Sequence, residues 1–457
     1  MRRCLNLFLL ILPATLGAQS LPPVASVVRV ADSLAEAFIA SNSAPSVAIA
    51  VVRGADTIVL KAWGTADLEH DVPASAASVY RIGSVTKQFT AAAVMQLIEQ
   101  GKARLDDSIA THLSGLPEAW RPVTIRQLLN HTSGIPSYTS LGPAWQRRWG
   151  EEMSPDTIVA MTAGSPMWFA PGSDWRYDNT GYILLGMLIQ KLSGRGWGTD
   201  LEARFSGPLG LSDTRNCLTG PVVKHRVRGY QAAGKEWTNA PYLAMSQPFA
   251  AGAICSTVGD LVKWNRALHT GKVVSAESYK LMTTPEGAAA TGPRNYGFGL
   301  GRDTIGGERV ITHGGGIHGF ASANLWVPSV ELSVTVLANS AAPVDQLQRQ
   351  LTLAALGKPL DQPAREEPLP AAERKQYVGV YTLVLPPGPR EFTIAEEGDH
   401  LTAQLAGQGP NQLLYYGKNT FGMKFDPALR LIFVVEAGRA TKVTLVQGGG
   451  RFEGARK

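Results

Sequence analysis

Apolar residues recur at Val27, Val30, Ala31, Leu34 and Phe38, a helical period that predicts a helix from Val27 to Ser41. The pattern then changes. Ser46 to Val52 is a short apolar run rich in β-branched residues, Gly54-Ala55-Asp56 is a turn, and Thr57 to Trp63 is apolar again, which predicts a hairpin of buried strands. From Tyr80 a compact, Gly-bearing turn runs straight into a helix whose apolar positions barely pause: Phe89, Ala91 to Met95, Leu97 and Ile98. They cover more than one face, the mark of a helix buried on most sides, and Gly101 supplies its stop.

Short helices follow at Leu105 to Leu113 and Thr124 to Asn130, with Asp106 and Thr124 as first-turn residues. Pro155 to Thr162 and Thr180 to Leu192 predict further helices, and Ser256 is placed to cap one that runs to about Leu268. Frequent Trp, Pro and Gly between them suit long loops lining a cleft. After Pro293 the strand character returns at Tyr296 to Gly301, Arg309 to Thr312, Ala321 to Val327 and Glu331 to Leu337, before a helix at Asp345 to Leu356. Strands at both ends with helices between them predict one sheet-containing domain that holds a helical insertion.

Lys358 to Glu373, rich in Pro and charge, reads as a linker. Beyond it, Tyr377 to Tyr381, Glu391 to Ala395, Leu401 to Leu405, Gln412 to Tyr416, Thr420 to Phe425, Leu431 to Val435 and Thr441 to Val446 are β-like runs at short, even intervals. They predict a small antiparallel barrel or sandwich, ending in a frayed tail from Gly448.

Composition narrows the class. The 457 residues, 44% apolar and 18% charged, describe an ordinary globular protein of more than one domain. The net charge of +6 is spread without a Lys/Arg block, which argues against nucleic-acid binding. Arg2 and Arg3, the apolar run Leu5 to Leu16 and the small residues of Leu16-Gly17-Ala18 form the pattern of a secretory signal over residues 1–18. The run is short for a membrane span, so the expected protein is exported, periplasmic or secreted, with no stable membrane span. Cys217 and Cys255 then form either one disulfide or two buried free thiols.

Three stretches carry candidate chemistry. At the mouth of the buried helix, Ser84 and Lys87 stand three residues apart, which on a helix puts their Cβ atoms roughly 5–6 Å apart on one face. A serine needs a base within reach, burial favours the neutral amine that could serve, and the Ser84 N–H could hold a developing oxyanion. The bland alternative makes Ser84 a cap and Lys87 a solvated side chain. In Trp175-Arg176-Tyr177-Asp178-Asn179, directly before a helix, Tyr177 can relay a proton and Asn179 can hold a carbonyl or orient the lysine; a capping Asn179 beside a packed tyrosine is the simpler view. In VITHGGGIHGF, His313 ends a strand, and the glycines behind it, Gly315 and Gly316 among them, let backbone approach backbone, with the Gly316 N–H as a second oxyanion donor. A tight turn is the alternative there. No His-Glu-x-x-His, Gly-x-Ser-x-Gly or phosphate-cradling loop is present.

Taken together, Ser-x-x-Lys, Tyr-x-Asn and a His-x-Gly strand in this order resemble the serine β-lactamase and penicillin-binding-protein superfamily, closest to its branch of class C β-lactamases, D-alanyl-D-alanine carboxypeptidases and esterases. YRIGSVTK, LLNHTSGI, YDNTGYILLG and CSTVGDLVKW are similar to that branch too, over about Val27 to Gly357. The resemblance implies an α/β (α+β) fold, an antiparallel sheet flanked by helices with an all-helical subdomain. Residues 19–357 would form the hydrolase domain, 358–373 the linker and 374–457 a lipocalin-like β-barrel. It makes Ser84 the acylated nucleophile, Lys87 its base and Tyr177 the proton shuttle, with Asn179, His313, Gly315 and Gly316 meeting the substrate. No metal or organic cofactor is implied. One departure shifts the expectation. Where class C β-lactamases carry lysine, this chain has His313, as do esterase-like and peptidase-like relatives. The expected function is therefore an exported serine hydrolase forming an acyl-enzyme from amides or esters of small peptides or acyl groups. A β-lactamase and a non-catalytic binding or sensor protein are the alternatives, and the oligomeric state is open.

Overall fold

The computed structural model describes residues 21–457 apart from 293–294, 362–364, 386–387, 424–425 and 448–449. The expected leader, residues 1–18, lies outside the described residues, as do parts of the linker and of the expected tail.

Seven antiparallel strands form the main sheet, in the order Val72–Pro73, Asp56–Asp67, Ser46–Arg53, Leu332–Ala338, Phe320–Val327, Glu308–Ile317, Gly301–Ile305. Ser46–Arg53 pairs with Leu332–Ala338 along its length, Ile49 opposite Val336, so strands from the two ends of the domain meet at its centre. Everything between Tyr80 and Thr291 is inserted between them, as the sequence pattern predicts. Both central strands are buried, because helices cover both faces. Val47, Ile49 and Val51 pack with Val27, Ala31 and Phe38 of helix Val24–Ala40 and with Leu347 and Leu351 of helix Val344–Ala355. The small Ala48 and Ala50 face the opposite side and join the core of the inserted helices. Alternation along one strand thus builds two cores. No helix among the described residues is long and apolar enough to cross a membrane.

Eight antiparallel strands from Gly379–Leu385 to Gly450–Arg456 close a barrel around Tyr381, Phe392, Phe421 and Phe433. The expected frayed tail is its last strand. Gly450–Arg456 pairs with Arg439–Gln447 on one side and with Gly379–Leu385 on the other, which removes both sheet edges.

Other expectations are corrected locally. Tyr296 to Gly301 is a turn, not a strand: Gly297 N–H donates to Leu300 O at 2.7 Å, and the edge strand is Gly301–Ile305. Leu105 to Leu113 holds only the 3₁₀ turn Ile109–Thr111, capped by Ser108. Asp106 is instead the partner of Arg126 at 2.8 Å, while Thr124 does cap helix Ile125–Leu129, in a reciprocal capping box with Gln127. Helix Val258–His269 is capped by Thr257, whose side chain accepts from Asp260 N–H. Ser256 belongs to the preceding strand Ile254–Ser256 and shares a hydrogen bond with Thr214. Cys217 and Cys255 are both buried free thiols in contact with each other.

Candidate active site

The site is built on two helix entrances, one strand and one loop. Gly83–Val85 makes a 3₁₀ turn that continues into helix Thr86–Glu99, of which every residue from Thr86 to Met95 is buried. Between Ile82 and Met95 Ser84 alone is part-exposed, so the nucleophile candidate stands at the wet entrance of a helix that is dry for its first ten residues. One turn on, Lys87 is fully buried. Its Nζ lies 3.2 Å from Ser84 Oγ, 2.8 Å from Asn179 Oδ1 and 2.8 Å from Ala251 O. The amide oxygen and the carbonyl can only accept. A neutral amine can give its two N–H groups to them and turn its lone pair toward the Ser84 hydroxyl. The rings of Tyr177 and Tyr182 flank the amine, their centroids 4.8 and 5.2 Å from Nζ.

Asn179 is free for this contact because its neighbour does the capping. Asp178, in an extended conformation, caps helix Asn179–Ser193 by accepting from Gly181 N–H at 2.9 Å. Asn179 is the first helical residue. Its N–H donates to Ser137 Oγ and its Nδ2 to Thr139 Oγ1, both at 3.1 Å, which fixes which end of the amide faces Lys87. Tyr177 lies against His131, with ring centroids 4.3 Å apart, and 6.2 Å from both Tyr296 and His313.

The strand runs unbroken through its glycines, Glu308–Ile317, where a tight turn was the alternative. Gly301–Ile305 pairs only with residues 308–312, so no strand lies beyond His313 to Ile317 on that side among the described residues. The nucleophile turn takes that place. A Cβ on Gly83, which has φ +48°, would touch the Gly316 backbone at 3.1 Å, and one on Gly315 would meet Ile82 O at 2.1 Å. Ser322 Oγ, opposite Gly315 on the next strand, donates to Ile82 O at 2.8 Å and ties turn to strand. This brings the Ser84 and Gly316 N–H groups to the same junction, where an oxyanion could rest.

His313 is on this strand as expected, but its side chain is buried and engaged. Nδ1 lies 2.6 Å from Gly314 O and Nε2 2.7 Å from Tyr296 OH. The carbonyl only accepts, so Nδ1 donates to it, while Nε2 and the Tyr296 hydroxyl share the second hydrogen bond. What His313 offers here is a hold on Tyr296 and a wall for Tyr177.

Burial also acts on the carboxyl beside the site. It pushes Asp178 up to about 7, against the pull of the Gly181 and Thr180 N–H groups, Ser133 and the Lys87 charge. Sequence reasoning brings together Ser84, Lys87, Tyr177, Asn179, His313, Gly315 and Gly316, and the structure places all seven at this junction. It passes over Ala251, Ser137, Thr139, His131, Asp178, Tyr296 and Ser322. LLNHTSGI was a signal for His131, which holds the uncommon φ of +64° and accepts from Asp178 N–H.

The chain is similar to several known proteins. The Beta-lactamase family model matches residues 31–357. Penicillin-binding protein 4* of Bacillus subtilis (strain 168) is 25% identical over 433 residues, 89% of this chain and 94% of that protein. A D-aminopeptidase of Gluconobacter oxydans (strain 621H) is 26% identical over 338 residues, 72% of this chain but only 62% of that longer protein. The crystal structure of a D-stereospecific amidohydrolase from Streptomyces sp. superposes with a TM-score of 0.61 at 30% identity, covering 73% of this chain and 98% of that one.

Proposed function

The chain belongs to the Beta-lactamase family, and on that premise we propose that it is a serine hydrolase forming an acyl-enzyme at Ser84 from amides and short peptides whose acyl residue is a D-amino acid, with small esters as secondary substrates. One observation carries the reading. The buried Lys87 Nζ sits within hydrogen-bond reach of both Ser84 Oγ, at 3.2 Å, and Asn179 Oδ1, at 2.8 Å. The amidohydrolase and D-aminopeptidase relatives support the choice of a D-amide.

In the reaction, Ser84 Oγ attacks the carbonyl carbon as Lys87 takes the hydroxyl proton. The carbonyl oxygen, now negative, is held by the N–H groups of Ser84 and Gly316. As the C–N bond breaks, Tyr177 passes a proton to the departing amine and is resupplied from Lys87. Water then attacks the ester, losing its proton along the same path in reverse, and Ser84 is restored. Asn179 holds Lys87 in place and faces the acyl amide. The leaving group lies toward Tyr177 and His313, where a histidine already tied to Tyr296 and Gly314 stands in place of the lysine that a substrate carboxylate would want, so turnover of β-lactams is slow. We also propose that residues 1–18 direct the protein out of the cytoplasm, to the periplasm or beyond, that residues 19–357 carry the reaction and that the segment 358–373 links them to the barrel.

Hydrolysis of D-alanine p-nitroanilide and its L enantiomer tests the proposal. Release of nitroaniline from the D form, at least tenfold faster than from the L form and absent in Ser84→Ala, is the expected result. Turnover that is equal for the two, or that survives Ser84→Ala, contradicts it.

A further inference from the structure

Between Tyr177 and Asn179 the chain places a carboxyl group that the reaction above leaves idle. Asp178 is 1% exposed. Its Oδ2 caps the helix and accepts from Ser133 Oγ at 3.3 Å. A serine, threonine or asparagine would cap as well, so the cap alone does not call for a charge. Its Oδ1 is buried with no hydrogen-bond partner among the described residues, a costly arrangement for a group that serves only as a cap.

The surroundings say what the charge faces. From the loop after helix Ile125–Leu129 come Ser133 and His131, but His131 Nδ1 accepts from the Asp178 N–H at 3.2 Å and so carries no proton on that side. Tyr138, Tyr177 and Tyr182 crowd the same space, and burial raises Tyr138 and Tyr182 well above the ordinary phenol range. Lys87, from the nucleophile helix, supplies the positive field that acts on the carboxyl. The two groups are joined through Asn179, which follows Asp178 in the chain and accepts from Lys87 Nζ.

We propose that Asp178 is a positioning residue whose carboxylate balances the ammonium that Lys87 becomes on taking the Ser84 proton. The inference rests on the reading of Ser84 and Lys87 given above. No bond forms or breaks at Asp178. The proton moves from Ser84 Oγ to Lys87 Nζ, the serine oxygen gains its bond to the acyl carbon, the carbonyl π pair moves onto the oxygen held by the Ser84 and Gly316 N–H groups, and the Asp178 carboxylate faces the new ammonium from the buried side. When Asp178 is protonated that balance is lost, so the acid limb of the rate profile follows this group.

Asp178→Asn and Asp178→Ser both keep a capping oxygen, and the experiment compares their kcat, KM and pH–rate profiles with the wild type on D-alanine p-nitroanilide. The expected result is a kcat lowered at least tenfold at pH 8 with KM within twofold, and an acid limb of kcat, near pH 7 in the wild type, that moves by a unit or more or disappears. Variants that melt at lower temperature yet keep the wild-type kcat and acid limb overturn the assignment and leave Asp178 a cap. Labelling of Ser84 by a fluorophosphonate runs alongside. A wild type that is not labelled overturns the reading of the site itself, whereas a labelled wild type with unchanged Asp178 variants overturns only the role given to Asp178.

Discussion

Replacing Gly315 with alanine adds one methyl group and tests the junction on which the site depends. A Cβ there would lie 2.1 Å from Ile82 O, 2.5 Å from Ser322 Oγ and 2.9 Å from Ser84 N. The serine hydroxyl can rotate away. The other two atoms are backbone of the nucleophile turn and cannot. Ordinary contact begins at 3.4 Å, so strand and turn have to part by about 1.3 Å. A misplacement of about 1 Å at reacting groups costs on the order of 10²-fold in rate, or about 2.7 kcal/mol of transition-state stabilisation. Overpacking at one site costs about 1–3 kcal/mol of stability, which a domain of this size survives. Gly314→Ala is the control, because its Cβ would meet only Ser322 O at an ordinary 3.6 Å. Rates on D-alanine p-nitroanilide, with thermal melts beside them, are expected to drop about 100-fold for Gly315→Ala and less than threefold for Gly314→Ala. A folded Gly315→Ala variant within threefold of wild type refutes the claim that this contact sets the oxyanion site.

Other consequences can be measured separately. Tyr177→Phe keeps the ring against His131 but loses the proton relay, and kcat should fall about 10²–10⁴-fold with KM nearly unchanged; steady-state kinetics check it, and a small effect removes Tyr177 from the mechanism. Asp178, raised by burial from 3.8 to about 7, binds a proton more tightly folded than unfolded, so its contribution is greatest at low pH and is lost as pH rises through about 7. Three units at about 1.4 kcal/mol each give up to about 4 kcal/mol over the whole range, of which about two units, or roughly 2.7 kcal/mol, fall between pH 5 and pH 8; urea melts at those two values should show the wild type losing stability relative to Asp178→Asn by about that amount, and parallel changes in the two proteins would contradict the burial argument. Thr257→Ala removes the cap of helix Val258–His269 and should lower stability by about 1 kcal/mol, while Ser256→Ala leaves that helix capped; denaturant midpoints separate the two. Nitrocefin turnover should be slow, given a His313 in place of lysine and already held by Tyr296 and Gly314, and rapid turnover would reverse the preference for D-amides.

Much of the site was legible because its chemistry resides in side-chain types at fixed local spacing. Ser84 and Lys87 share a helix face whatever the tertiary fold does, and Tyr177 with Asn179 sits at a helix start marked by the apolar run behind it. The cap was assigned one residue late, to Asn179, because Asp and Asn are equally good caps and only the backbone shows which one is extended. Ala251 was invisible because it acts through a carbonyl, a group every residue owns. Asp178, Ser137 and Thr139 matter through contacts across 40 residues or more that no local pattern encodes. The strand through Gly314, Gly315 and Gly316 reads as a turn by propensity, since glycine weakens strands. It is a strand because the nucleophile turn packs where side chains would be. The barrel's last strand, Gly450–Arg456, was missed for a related reason: GRFEGAR carries little β pattern and is held by pairing with two neighbours.

Covalent trapping tests the central claim most directly. The purified protein is treated with a fluorophosphonate, digested, and the adduct mapped by mass spectrometry. The account predicts one adduct, on Ser84, that Ser84→Ala abolishes and Lys87→Met slows by orders of magnitude. A folded protein that takes no adduct, or takes it on another serine, would contradict it.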